Sequence, residues 1–263
     1  MKQLSLHGTA LEISGSGPPV VLLHGVGLNQ SIWAAQVKAL EADFQVITYD
    51  LLGHGRSAAA FTNALLADWV DQLNGVVRDL ALEKFALVGF SFGGLIAQAY
   101  AAQHPHMIDK LALMSTVYDR SEAERASVWS RLDLARRYGP HAINSAALIR
   151  WFSPEFSKAH PEMLNQYEAL LRSNDSASFL SAYKCFATAD RELVGGLAAF
   201  DRPTLVMTGE LDTGSTPAMA RKLAGVIPRA ACSIIAGGRH MMPVELPEEV
   251  NSVLRRFLKG ESP

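Results

Sequence analysis

Only two cysteines, Cys185 and Cys232, occur in the 263 residues. Two thiols are too few for the disulfide framework of a small secreted domain, and their spacing suits no metal site, so both read as packing residues. Nowhere is there a run of about 18 apolar residues, the length a membrane span needs. The opening MKQLSLHGTALEISGSGPP holds no apolar stretch of the kind a secretion signal carries. The expected setting is therefore cytoplasmic, with no membrane partner. Charge of one sign is also scarce: 24 Lys and Arg stand against 26 Asp and Glu, a formal net charge of -2, and no basic cluster is interleaved with aromatics. A nucleic-acid partner is not expected on that ground. Internal repeats, low-complexity linkers, metal-ligand clusters and a dinucleotide-binding glycine pattern are all missing, so neither a metal nor an organic cofactor is expected.

What remains is a chain that is 49% hydrophobic and 19% charged, enough apolar material for a substantial core. Short apolar runs, VVLL (20–23), FQVITY (44–49), KFALVG (84–89), KLALMS (110–115), TLVMTG (204–209) and CSIIAG (232–237), have the length and β-branching of buried parallel strands. Between several of them, SIWAAQVKALEAD, LADWVDQLNGVVRDLAL and LIAQAYAAQH place apolar residues three and four apart, as helices do. The right-handed crossover rule then gives an α/β fold, a mostly parallel doubly wound sheet with helices on both faces. The alternating opening around His7-Gly8 suggests an antiparallel hairpin at the sheet edge. Residues 116–197 show helical periodicity and no strand pattern. They read as a helical cap inserted into a sheet domain formed by 1–115 and 198–263.

The chemistry centres on GFSFGG (89–94), between a strand and a helix. G-x-S-x-G at such a junction is the nucleophile-elbow pattern: the turn is so sharp that the serine is strained, and its flanking residues must be small. Gly89 and Gly93 give that room, and Ser91 is lifted out of the sheet towards the N-terminal N–H groups of the next helix. A serine hydroxyl needs a base and an orienting acid to act as a nucleophile. His240, in AGGRHMMP after the last predicted strand, is the candidate base. Asp212, in TGELDTG after the strand before it, is the candidate acid; Asp119, after KLALMS, is its competitor. Glu210 is expected to shape its own loop. In LLHGVGLNQ, the N–H of Val26 is expected to pair with that of Phe92 as an oxyanion hole, with His24 buttressing the loop. Asp50, His54 and Arg56 in YDLLGHGRS are expected to fix a tight turn and carry no chemistry.

HGVG, YDLLGHGRS, GFSFGG, GELD and GGRH, in that order and spacing, resemble the α/β-hydrolase fold superfamily over nearly the whole chain. Serine at the elbow, where dehalogenases and epoxide hydrolases carry aspartate, argues against those two activities. IRWFSPEFSKAHPE (149–162) and the sequence after it are similar to the cap of 3-oxoadipate enol-lactonases. That resemblance places Arg150 and Trp151 against a substrate carboxylate and ring, a task for which a planar guanidinium is suited. SAYKCFATAD and the Phe of SFGG depart from the usual pattern of those lactonases. The activity implied is hydrolysis of a small carboxylic ester or lactone, foremost a carboxylate-bearing enol-lactone, through an acyl-enzyme. A C–C bond hydrolase of ring-fission products, a broad carboxylesterase and a ligand-binding protein with an idle triad stay open. So does the choice between a single chain and a homo-oligomer.

Overall fold

A strand buried on both faces needs apolar side chains at every position, and the sheet here is built from such strands. The computed structural model describes residues 2–261. The hairpin of β1 (Lys2–Leu6) and β2 (Thr9–Ser14) turns at His7 and Gly8, both with positive φ. β3 (Pro19–Leu23), β4 (Gln45–Tyr49), β5 (Phe85–Phe90), β6 (Ile108–Met114), β7 (Thr204–Gly209) and β8 (Ala230–Ile235) complete one sheet in the order β1-β2-β4-β3-β5-β6-β7-β8. β2 pairs antiparallel with β1 and β4, and every other pairing is parallel. Each expected strand is present, with the hairpin at the edge.

Helices α1 (Ala34–Leu40), α2 (Leu66–Asp79) and α3 (Phe92–Gln103) lie between β3 and β6. α4 (Glu122–Tyr138), α5 (Asn144–Trp151), α6 (Pro154–Ala159), α7 (Pro161–Ser173) and α8 (Ser176–Thr188) lie between β6 and β7, a stretch with no strand. α9 (Pro217–Val226) joins β7 to β8, and α10 (Met242–Glu245) and α11 (Pro247–Lys259) follow. The period of two along each strand divides the core. Val21, Leu23, Ile47, Tyr49 and Leu87 face Trp69 of α2 and Leu95 of α3. Their neighbours Val20, Leu22, Val46 and Val88 face Trp33, Leu40 and the Val250, Leu254 and Phe257 stripe of α11. Cys185 is buried as expected, whereas Cys232 is exposed. Its strand, β8, is the sheet's last and has no neighbour to cover that position.

The helices after β6 are tied to the sheet by polar contacts. Ser178 and Ser181 of α8 accept the N–H groups of Ala60 and Ala64 at 3.1 and 2.8 Å, and Asn174 donates to the Gly27 carbonyl at 2.9 Å. Deeper in, Asp190 accepts from the Arg120 backbone N–H (3.1 Å), the Arg120 guanidinium (2.9 Å) and the Arg125 guanidinium (3.0 Å). Asp190 is inaccessible to solvent and Arg120 nearly so. Burial lowers the Arg120 pKa, and Asp190 opposes that shift. One carboxylate thus joins the loop after β6, α4 and the segment after α8. Asp190→Ala would strand two guanidinium groups, one of them buried, and is expected to cost about 3–5 kcal/mol. Urea denaturation of the two proteins checks this; a loss below about 1 kcal/mol, the range of exposed pairs, would contradict it.

Candidate active site

Ser91 is the residue between β5 and α3, and its φ of 55° and ψ of -112° lie outside the regions ordinary side chains occupy. Its neighbours explain how the turn closes. A Cβ on Gly89 would overlap the Gly93 carbonyl, and one on Gly93 would overlap the carbonyls of Leu23 and His24. Only glycine lets the elbow pack that closely on the end of β3. The Gly93 N–H then donates to the His24 carbonyl at 3.1 Å, and the Ser91 N–H to the Met114 carbonyl at 2.9 Å.

His240 follows β8 and Asp212 follows β7, so both reach the sheet's carboxyl edge, where Ser91 stands. His240 Nδ1 lies 2.7 Å from Asp212 Oδ2, and Nε2 lies 3.2 Å from Ser91 Oγ. A proton on Nδ1 bonded to the carboxylate leaves Nε2 free to accept from the serine. Asp212 Oδ1 is held by the N–H groups of Gly214 and Ser215 at 2.8 and 2.9 Å, which fixes the carboxylate. The imidazole is packed between Phe90, at 5.1 Å between ring centres, and Trp151, stacked at 6.0 Å. Asp119 is elsewhere, paired with Lys222 on the surface. Glu210 accepts from the Gly237 N–H at 2.9 Å, consistent with a loop-shaping role.

The loop after β3 completes the floor. Neighbouring N–H groups are occupied: Gly27 donates to His54 Nε2, Leu28 to the Gly25 carbonyl, Ser91 to the Met114 carbonyl and Gly94 to the Ser91 carbonyl. The N–H groups of Val26 and Phe92 themselves have no acceptor among the described residues. Two such donors beside the Ser91 hydroxyl can hold a negative oxygen. Above them is a cavity of roughly 280 Å³ that Ser91, Asp212, His240 and Val26 line from below. Arg150 and Trp151 line it from α5, so both pocket residues expected from the sequence are at its wall.

A family model described as the alpha/beta hydrolase fold matches residues 18–247. The chain belongs to the alpha/beta hydrolase fold family. It is 31% identical to the (E)-2-((N-methylformamido)methylene)succinate hydrolase of Acinetobacter baylyi, over 98% of this chain and 97% of that one. Among solved structures, the enol-lactonase of Burkholderia xenovorans superposes with a TM-score of 0.88 at 29% identity, covering 98% of this chain and all of the other. A thermophilic esterase of Thermogutta terrifontis, solved with malate bound, superposes with a TM-score of 0.87 at 28% identity, over 99% of each chain. All three are similar to this hydrolase from end to end, helical insertion included.

Within this alpha/beta hydrolase the sequence reading missed much of the upper cavity wall. Asn144, Arg131 and Tyr183 also line it, from α5, α4 and α8. α5 offered one usable signal, since Asn144, Ala147 and Trp151 recur at helical spacing. Arg131 offered none, being one of four arginines on α4.

The buttressing histidines are as expected. His24 Nε2 accepts from the Leu51 N–H at 2.9 Å, which puts its proton on Nδ1, 2.8 Å from the Gly25 carbonyl. His54 accepts from Gly27 and bonds the Leu52 carbonyl in the same manner, and Asp50 accepts the N–H groups of Gln30 and Arg56. Burial lowers the His24 pKa, with the neighbouring His54 adding to the shift, and it lowers that of His54 from 6.5 to about 4. The unfolded chain takes up these protons first, so stability is intact above pH 6.5 and falls as pH drops towards 4. For His54 alone the loss is about 3 kcal/mol. A depressed carboxylate such as Asp43 begins to add to the loss only at the foot of this window, as pH approaches its unfolded value of 3.8. Urea unfolding at pH 7.5 and pH 4.5 measures the difference; equal stabilities would contradict the neutral pair.

Proposed function

We propose that this hydrolase cleaves a small carboxylic ester or lactone carrying a carboxylate, foremost an enol-lactone, through an acyl-enzyme on Ser91. The observation that carries the reading is the unbroken series Ser91 Oγ, His240 and Asp212 Oδ2, at 3.2 and 2.7 Å, on the floor of a cavity that Arg150 also lines. Ser91 Oγ attacks the carbonyl carbon while His240 Nε2 takes its proton, and Asp212 stabilises the imidazolium that results. Negative charge grows on the carbonyl oxygen, where the Val26 and Phe92 N–H groups receive it. Collapse breaks the bond to the leaving oxygen, which takes the proton from His240. Water gives its proton to the same nitrogen, attacks the acyl carbon, and releases the acid and Ser91. In a lactone the leaving oxygen stays tethered to the acyl part.

Arg150 donates one bond within its own helix, to the Ala146 carbonyl at 2.8 Å, and pairs with no carboxylate among the described residues. A guanidinium so placed suits a substrate carboxylate. The comparisons support the same substrate class: relatives named for an enol-lactone, for a substituted succinate, and one solved with malate. A second reading, hydrolysis of an amide-type acyl group, draws support from the relative at 31% identity, whose named substrate carries a formamido group. The same relay would serve it.

The experiment is hydrolysis of an enol-lactone of the 3-oxoadipate type, followed by its ultraviolet absorbance beside p-nitrophenyl acetate. Ser91→Ala and Asp212→Asn are each expected to lower kcat by about 10⁴-fold, whereas Asp119→Asn stays close to wild type. Activity of Ser91→Ala within tenfold of wild type would remove serine from the mechanism, and a reversed order of the two aspartates would reassign the acid. Arg150→Ala is expected to raise KM for carboxylate-bearing substrates about tenfold more than for neutral esters, the loss of one charge-assisted hydrogen bond. Equal effects on both would refute a charge-reading role.

A further inference from the structure

We propose that the cavity takes a substrate with two anionic oxygen groups, held by Arg150 at one and by Arg131 at the other. The proposal rests on the serine-hydrolase reading above and narrows its substrate class to dicarboxylate-type acyl compounds.

Three arginines reach the cavity, Arg120, Arg131 and Arg150, and they differ in what balances their charge. Arg120 is bound to Asp190, a carboxylate it shares with Arg125. Arg131 donates only to neutral groups, from Nε to the Tyr183 hydroxyl at 3.1 Å and from Nη1 to Ser127 Oγ at 2.8 Å. Its Nη2 has no partner among the described residues, and neither has Nη2 of Arg150. Neither acid at the cavity wall forms an ion pair with Arg131 or Arg150. Asp212 is bound by His240, Gly214 and Ser215, and Glu124 closes the N-terminus of α4 by accepting from the Ser121 N–H and hydroxyl at 2.7 and 2.8 Å.

Two guanidinium groups therefore share one cavity with no ion pair to a carboxylate for either among the described residues. Each is partly buried, and the pair is close enough to interact: burial lowers the Arg150 pKa most, and the charge on Arg131 lowers it further, against a smaller pull from Tyr183 and Asp212. Like charges in a partly desolvated space repel, and a single carboxylate neutralises only one of them. The contacts to Tyr183 and Ser127 hold Arg131 in place before any ligand arrives, which lowers the entropy lost when its free edge is used. Asn144 lines the same cavity from α5.

The test is isothermal titration calorimetry of the full chain with succinate and glutarate, each against the monocarboxylate of equal length, butyrate and pentanoate. Wild-type protein is expected to bind at least one dicarboxylate tighter than its partner by roughly tenfold, the worth of one further charge-assisted contact. Arg131→Gln is expected to abolish that ratio. Arg131→Lys, which keeps the charge without the planar fork, is expected to restore part of it. Arg137→Gln, on the exposed face of the same helix, serves as the control and keeps the ratio. Equal binding of the two classes by the wild type, or their equal failure to bind, would overturn the proposal. A preference that survives in Arg131→Gln, or is no greater in Arg131→Lys than in Arg131→Gln, would do the same. Calorimetry needs no turnover, so Ser91-independent hydrolysis would refute the serine reading and leave this result to stand by itself.

Discussion

The site depends on a backbone that turns where a side chain ought not to fit. At Ser91 the chain takes a positive φ, held because β5 ends against β3 with nothing larger than a glycine between them. That contact does more than expose a hydroxyl. Through the Gly93 N–H and the His24 carbonyl it locks the elbow to the loop carrying Val26, so the proposed nucleophile and oxyanion donors are set by one packing event. His24 and His54 then act beneath it as neutral hydrogen-bonding posts. Both bond backbone groups 27 residues away in the chain, which makes the loops after β3 and β4 a single body. The strain at Ser91 is held by contacts on every side, which is the condition under which strain persists in a folded protein.

How much of this was legible follows from where each feature is encoded. The sheet was legible because strands buried on both faces leave unbroken apolar runs, and the relay because each member stands just beyond one such run. Asp212 and Asp119 both met that condition. Only tertiary structure separates them, by bringing Asp212 to His240 and Lys222 to Asp119. The cavity wall was less legible. α4 carries Arg125, Arg131, Arg136 and Arg137, four residues of one type. In the fold Arg125 meets Asp190, Arg136 lies over Trp129, Arg137 pairs with Asp133, and Arg131 reaches the cavity. Asp190 is 65 residues from Arg125, a separation no local period can report. Arg150 and Trp151 were found by resemblance alone, since their spacing on a helix suits a solvated charge and a core ring equally well.

The helical segment and His240, the proposed base, are not independent parts. The Met241 N–H donates to the Trp151 carbonyl at 3.0 Å, Arg239 donates to the Ile149 carbonyl at 3.2 Å, and the Trp151 ring stacks on His240. The C-terminal turn of α5 is therefore fastened to both residues flanking His240. If Arg150 holds the substrate carboxylate as proposed, the helix it acts on is the one whose next residue covers the imidazole. Through these contacts a substitution on α5 is expected to disturb the setting of His240 as well as binding. A residue whose only task was to attract charge would change KM and leave kcat untouched. For Arg150 some effect on kcat is expected as well, because the loss of its bond to Ala146 loosens the turn that Trp151 terminates. Arg131 sits on α4, with no such fastening to the His240 loop among the described residues. Of the two arginines it is the one whose removal should separate recognition from chemistry.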